Sequence, residues 1–181
     1  MVEVLMSTNQ QIIIFEGPDG CGKTNISTEL SSGLGVPYFK NKDEWKFFVD
    51  DPSYFVNALT YGDPYFLSYL EQTGASVIVD RWYPSEWVYS QIFDRPTNMD
   101  ALDRIDHRAA ALGAKIIIPV REDYSDVVDQ LDEVITPSIL QNVHEAYLRF
   151  ADWTACSTFF LNVDDEDITR ELAEIQDFLR G

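Results

Sequence analysis

Positive charge is what this chain has least of. Only 13 Lys and Arg residues face 31 Asp and Glu, for a formal net charge of −18 over 181 residues. Proteins that hold nucleic acid draw much of their affinity from a basic footprint that neutralises phosphates. DNA is therefore a disfavoured partner, with room only for a local basic patch, and the acidic total reads first as a strongly solvated surface. Cysteine is scarce too. Cys21 and Cys156 lie far apart with no metal-ligand spacing around either, which argues against a disulfide framework and a zinc site and fits a reducing cytosol. Long apolar runs are missing: the longest, such as IIIF and SVIV, are far too short to span a bilayer. The opening MVEVLMSTNQ has neither the basic stretch nor the apolar core of a signal peptide. Repeats and low-complexity linkers are lacking as well. The expectation is a cytoplasmic protein with no membrane partner, forming a single domain over residues 1–181.

Apolar residues are not lacking. They make up 45% of the chain, with 11 Phe, 9 Tyr and 4 Trp, enough for a sizeable core. Near-continuous apolar runs recur at 11–17 (QIIIFEG), 37–40 (PYFK), 76–80 (SVIVD), 115–120 (KIIIPV) and 158–163 (TFFLNV). Such runs are what strands of a parallel sheet need when both faces are covered. Helical patterns alternate with them: KTNISTELSSGLG stopping at Gly33 or Gly35, NMDALDRIDHRAAALG ending at Gly113, TPSILQNVHEAYLRFADWTA with Pro137 in its first turn, and DEDITRELAEIQDFLRG. Strand and helix alternating with right-handed crossovers predict a three-layer α/β domain. The acidic segment from about 121 to 137 reads as a lid-like insertion after the fourth strand.

The chemistry-bearing motif follows the first strand. Gly17-Pro18-Asp19-Gly20-Cys21-Gly22-Lys23-Thr24 matches G-x-x-x-x-G-K-[ST] throughout, with an apolar strand before it and a helical pattern after it. Glycines at 17, 20 and 22 let successive N–H groups turn inward as an anion nest. The following helix adds its unsatisfied first amides, around Cys21 to Asn25, and its positive dipole end. Lys23 is suited to bridge β- and γ-phosphates, and the Thr24 hydroxyl to ligate Mg2+. The loop thus reads as a nucleoside triphosphate site. An N-K-x-D base-reading motif in the position a GTPase needs is absent, and the chain is small for a mechanical ATPase, so a phosphotransferase is expected. Asp80-Arg81 ends the strand at 76–80, where a carboxylate can meet Mg2+ or an acceptor hydroxyl and an arginine can clamp a phosphoryl group.

These motifs resemble the thymidylate kinase family. FEGPDGCGKT is similar to that family's F-E-G-x-D-G-x-G-K-[ST], and DRWYPSEWVYS to its D-R-x-x-x-S-x-x-A-Y-Q, matching at Asp80, Arg81, Ser85 and Tyr89. The resemblance implies a P-loop nucleotide kinase fold with a five-stranded parallel sheet, use of ATP and Mg2+, and often a homodimer. It implies that Lys23, Asp80, Arg81 and Asp19 carry the reaction, with Asp19 facing the acceptor sugar. It also places Ser85, Tyr89 and, by ungapped counting, Phe55 on the substrate side. The departures bear on the acceptor. The segment after the second strand reads YFKNKDEW with no arginine, and Arg121 is the only cation in REDYSDVVDQLDE. Either Arg81, Arg95 or Arg121 takes over the absent arginines and a deoxynucleoside monophosphate is the acceptor, or the acceptor is a hydroxyl. The hydroxyl alternatives are a deoxynucleoside or, as in viral thymidylate-kinase-like enzymes, 5-hydroxymethyluracil in DNA. A rival from another class is an ATP-binding regulatory or ATPase module. His107 and His144 fall on helical stretches among charged residues and are read as surface or packing residues.

Overall fold

A computed structural model describes residues 10–40, 58–127 and 135–181. Five parallel strands form one sheet in the order β2-β3-β1-β4-β5: β1 (Ile12–Phe15), β2 (Tyr38–Phe39), β3 (Val77–Asp80), β4 (Lys115–Val120) and β5 (Ser157–Asn162). Around them lie α1 (Lys23–Leu34), a short π-helical turn (Ala58–Gly62) leading into α2 (Asp63–Thr73), α3 (Tyr83–Ile92), α4 (Met99–Ala111), α5 (Pro137–Trp153) and α6 (Ile168–Arg180). This is the three-layer α/β architecture that the alternation of apolar runs and helical patterns predicts.

Side chains of successive strand residues point to opposite faces, so each central strand feeds two cores. Ile12 and Ile14 join Val77, Val79, Ile116 and Ile118 beneath α3, α4 and α5. Ile13 and Phe15 join Ile78 and Ile117 with Ile26 and Leu30 of α1 and Ile175 of α6. Each face is closed by helices, which explains why β1 carries no polar residue. Helix ends follow their local chemistry. Gly35 (φ 66°) and Gly74 (φ 64°) close α1 and α2 in the left-handed conformation, and Thr136 caps α5 ahead of Pro137 by accepting from the Ile139 amide.

The structure adds two helices to those legible in the sequence, α2 and α3. Pro64 sits in the first turn of α2, where its missing N–H costs nothing. No helix among the described residues is long and apolar enough to cross a membrane.

Candidate active site

β1 ends in the middle of the sheet, and its carboxyl end opens into the glycine loop. Gly17 (φ 127°) passes so close to β4 that a Cβ there would lie 2.7 Å from the Pro119 carbonyl oxygen. Gly22 (φ 66°) then turns the chain into α1, whose first residues are Lys23 and Thr24. Lys23 is 6% exposed, donates to the Pro18 carbonyl and stands 3.7 Å from Asp19. Burial, reinforced by the nearby Arg81 guanidinium, pulls its pKa down to about 8.

Asp80 ends β3, the neighbour of β1, and its side chain is buried beside the loop. Its Oδ2 accepts three hydrogen bonds: from the Thr24 hydroxyl at 2.7 Å, the Tyr38 hydroxyl at 2.8 Å and the Lys40 ammonium at 2.9 Å. Its Oδ1 is buried with no partner among the described residues. Burial works against ionisation here, but the donors from Lys40, Thr24 and Tyr38 outweigh it and hold the carboxyl below its ordinary range.

Arg81 adopts a left-handed backbone (φ 68°), a strained conformation for a long side chain, while its amide donates to the Phe15 carbonyl at 3.0 Å. Its guanidinium pairs with Asp19, donates to Ser85 Oγ at 3.3 Å and lies 5.3 Å over the Tyr89 ring. Burial opposes ionisation of Asp19, but Arg81 and Lys23 prevail and hold its pKa down at about 2. Underneath lies Glu16, fully buried, which accepts from the Trp82 amide (2.7 Å), Ser85 Oγ (2.7 Å) and the Tyr147 hydroxyl (2.8 Å). Glu16 thus fixes both the backbone after Arg81 and the serine that Arg81 touches.

Two cavities meet at the loop. One, of about 190 Å³, is lined by Asp19, Lys23, Thr24, Lys40 and Arg81. The other, of about 350 Å³, lies on the opposite flank between Cys21, Asn25, Arg121, Val163, Glu166 and Glu171. Gly20 and Gly22 border both. Arg121 grips the loop by donating to the Gly20 carbonyl at 3.2 Å and is paired with Glu166 at 2.7 Å. Val127 presses on Gly20, where a Cβ would meet its Cγ1 at 2.3 Å. The start of the lid-like segment is therefore packed onto the phosphate loop. Cys21 is fully buried with its sulfur 3.9 Å from the Tyr124 hydroxyl.

The structure thus brings together Gly17, Gly20, Cys21, Gly22, Lys23, Thr24, Asn25, Asp19, Asp80, Arg81, Ser85 and Tyr89, with Arg121 on the far flank. Arg95 is engaged elsewhere: it forms a two-pronged pair with the buried Glu86, at 2.8 and 2.5 Å. Phe55 lies outside the described residues. Sequence reasoning assigned no role to Glu16, Tyr38 or Lys40. Glu16 had one usable signal, a carboxylate directly after a fully buried strand. Among the described residues no cluster of three His, Cys, Asp or Glu forms that would cage a metal. Mg2+, however, keeps waters and takes its remaining ligands from phosphate, so it needs only one or two protein oxygens. Thr24 Oγ1 and the Asp80 carboxylate that accepts from it are hard donors side by side, and they fit it.

Parallel sheet order and the glycine loop after β1 define a three-layer α/β fold that solved nucleoside and nucleotide kinase structures share. Three solved structures share it. The YorR protein of Bacillus subtilis, in complex with phosphorylated GDP, superposes with a TM-score of 0.64 at 24% identity, covering 93% of this chain and 94% of that one. Deoxyadenosine kinase from M. mycoides with bound dATP gives 0.59 at 18% identity, over 95% and 100% of the two chains. Thymidylate kinase from Ehrlichia chaffeensis gives 0.57 at 16%, over 94% and 100%. No family model and no curated protein sequence matches the chain.

Proposed function

We propose that this chain is an ATP-dependent phosphotransferase that moves the γ-phosphate to a nucleoside or nucleotide, with a deoxynucleoside monophosphate as the acceptor class read from the motifs. One observation carries the reading: Lys23 and Thr24 of the loop, Asp19 within it and Arg81 on the neighbouring strand line a single cavity, directly beside the Asp80 carboxylate. A triphosphate in the loop has its β- and γ-oxygens within reach of the inward amides and Lys23. Thr24 and Asp80 would hold Mg2+, which would supply charge neutralisation for the phosphates. Arg81 sits where negative charge grows on the transferring group, held there by Asp19 on one side and by Ser85 and Glu16 beneath. The 350 Å³ cavity under Arg121 is on the donor side and suits the nucleoside of ATP. The nucleotides bound by the similar chains, dATP and phosphorylated GDP, support a nucleotide ligand.

A second reading, transfer to a hydroxyl of a nucleoside or nucleobase, is favoured by one feature. Arg95 is committed to Glu86 instead of turning to an acceptor phosphate, and Asp80 Oδ1 is left able to take a hydroxyl proton. Measuring ADP release from ATP and Mg2+ against thymidine, thymidine monophosphate and hydroxymethyluracil DNA separates the two. Release that depends on one of these acceptors and vanishes in Lys23→Ala is expected. Acceptor-independent hydrolysis would point instead to an ATPase module.

A further inference from the structure

The Thr24 hydroxyl and Asp80 carboxylate, which would hold a metal, already hold a cation that belongs to the protein. Lys40 Nζ lies 2.6 Å from Thr24 Oγ1 and 2.9 Å from Asp80 Oδ2, and these two oxygens are themselves 2.7 Å apart. The sheet delivers it there. In the parallel pairing of β2 with β3, Tyr38 lies opposite Ile78 and Phe39 opposite Val79, so the next residue on each strand is Lys40 and Asp80. The two meet at the carboxyl end of the sheet, immediately below the phosphate loop.

We infer that Lys40 is a resident cation of the metal position, whose ammonium and Mg2+ compete for the same hydroxyl and carboxylate. The inference rests on the reading of this cleft as a metal–triphosphate site. Its physical basis is the burial of Asp80, 1% exposed and ionised, which demands a counter-ion. The ammonium meets that demand, with its side chain only 26% exposed. A divalent ion cannot join it on the same oxygens, because two cations at contact distance in a partly dry cleft repel strongly. Metal entry therefore requires Lys40 to leave Asp80. Because the side chain stays tethered beside the cavity it lines, metal binding also repositions a positive charge next to the phosphates. The protein thus sets its own metal requirement: a side chain stabilises the carboxylate until metal and nucleotide arrive together.

The test uses Mn2+ as a paramagnetic stand-in and a non-hydrolysable ATP analogue, with free Mn2+ counted by electron paramagnetic resonance. Lys40→Met leaves Asp80 without its ammonium, so Mn2+ in the analogue complex should bind about tenfold more tightly than in the unaltered protein. In EDTA the variant should melt at a lower temperature, and Mg2+ should recover the loss. Lys40→Gln keeps a neutral donor to Asp80 and provides a folded comparison, for which tighter Mn2+ binding is again expected. Unchanged or weaker Mn2+ binding in a folded Lys40 variant, while the unaltered protein binds Mn2+ with the analogue, overturns the role of Lys40 alone. If the unaltered protein binds no Mn2+ with the analogue, the reading of the cleft falls and this inference with it.

Discussion

Glu16 follows β1 and Asp80 ends β3, neighbouring strands of one parallel sheet, and both carboxylates are withdrawn from water. Their surroundings differ in kind. Glu16 spreads neutral donors over both oxygens, the Trp82 amide on one and the Ser85 and Tyr147 hydroxyls on the other. Burial dominates there and raises its pKa, with Arg81 and those donors only partly offsetting it. Among the described residues, Asp80 gathers its donors, the Lys40 ammonium among them, on a single oxygen and leaves the second without a partner. A carboxylate satisfied on both oxygens is a strut that fixes its neighbours. One satisfied on a single oxygen and paired to a partly exposed ammonium is equipped to exchange partners.

That contrast breaks most visibly in activity. Asp80→Asn should retain the fold, since an amide still accepts from Thr24 and Tyr38. It should lower kcat by roughly a hundredfold or more through loss of the charge facing the metal and acceptor; turnover within a fewfold of the unaltered protein would equate the two carboxylates. Glu16→Gln should act through Arg81, lowering kcat/KM by about tenfold. It should also cost about 1–3 kcal/mol in denaturant unfolding, because the new NH₂ must face a donor.

The two variants should also show opposite pH slopes. Glu16 has a raised pKa, so its favourable contribution is complete below its ordinary value of 4.5 and is lost as pH climbs. Asp80 has a lowered pKa, so its contribution is complete above its ordinary value of 3.8 and is lost as pH falls further. The stability gap between Glu16→Gln and the unaltered protein should therefore shrink as pH rises above 4.5. The gap for Asp80→Asn should shrink as pH drops below 3.8. Parallel slopes would erase the distinction between strut and exchanging ligand.

The smallest effect belongs to a third acid. Burial pushes Asp63 up to about 6, with the Trp82 Nε1 hydrogen bond at 2.8 Å only partly compensating. Its contribution is present below pH 3.8 and lost as pH rises through about 6, so the ionised form is a burden near neutrality. Asp63→Asn keeps an acceptor for Trp82 and should raise stability by about 1–2 kcal/mol at pH 8, with no change near pH 4, as read by thermal melts.

Much of the scaffold was legible because its signals are local. Near-continuous apolar runs mark strands buried on both faces, and the glycine spacing from Gly17 to Gly22 marks the loop within one short stretch. What escaped depends on pairing across the sheet. Lys40 acquires meaning only when β2 is registered against β3, forty residues further along the chain. Glu16 acquires its role only when α3 and α5 bring Ser85 and Tyr147 over it. Arg95 was read as a substrate cation, since nothing local shows the chain turning back after α3 to set it against Glu86. The α2 helix was hidden by Gly62-Asp63-Pro64 and by Tyr61, Tyr65 and Tyr69, exposed aromatics that blur its apolar face.

In the proposed reaction the loop carries a γ-phosphate which the cleft beneath Arg81 passes to a nucleoside or nucleotide. Incubation with γ-labelled ATP and Mg2+ over a panel of nucleosides, nucleoside monophosphates and modified-base DNA, followed by separation of the products, tests it most directly. Label covalently joined to one acceptor class, and absent with Lys23→Ala, is the expected result. Label found only as inorganic phosphate, whichever acceptor is supplied, would contradict it.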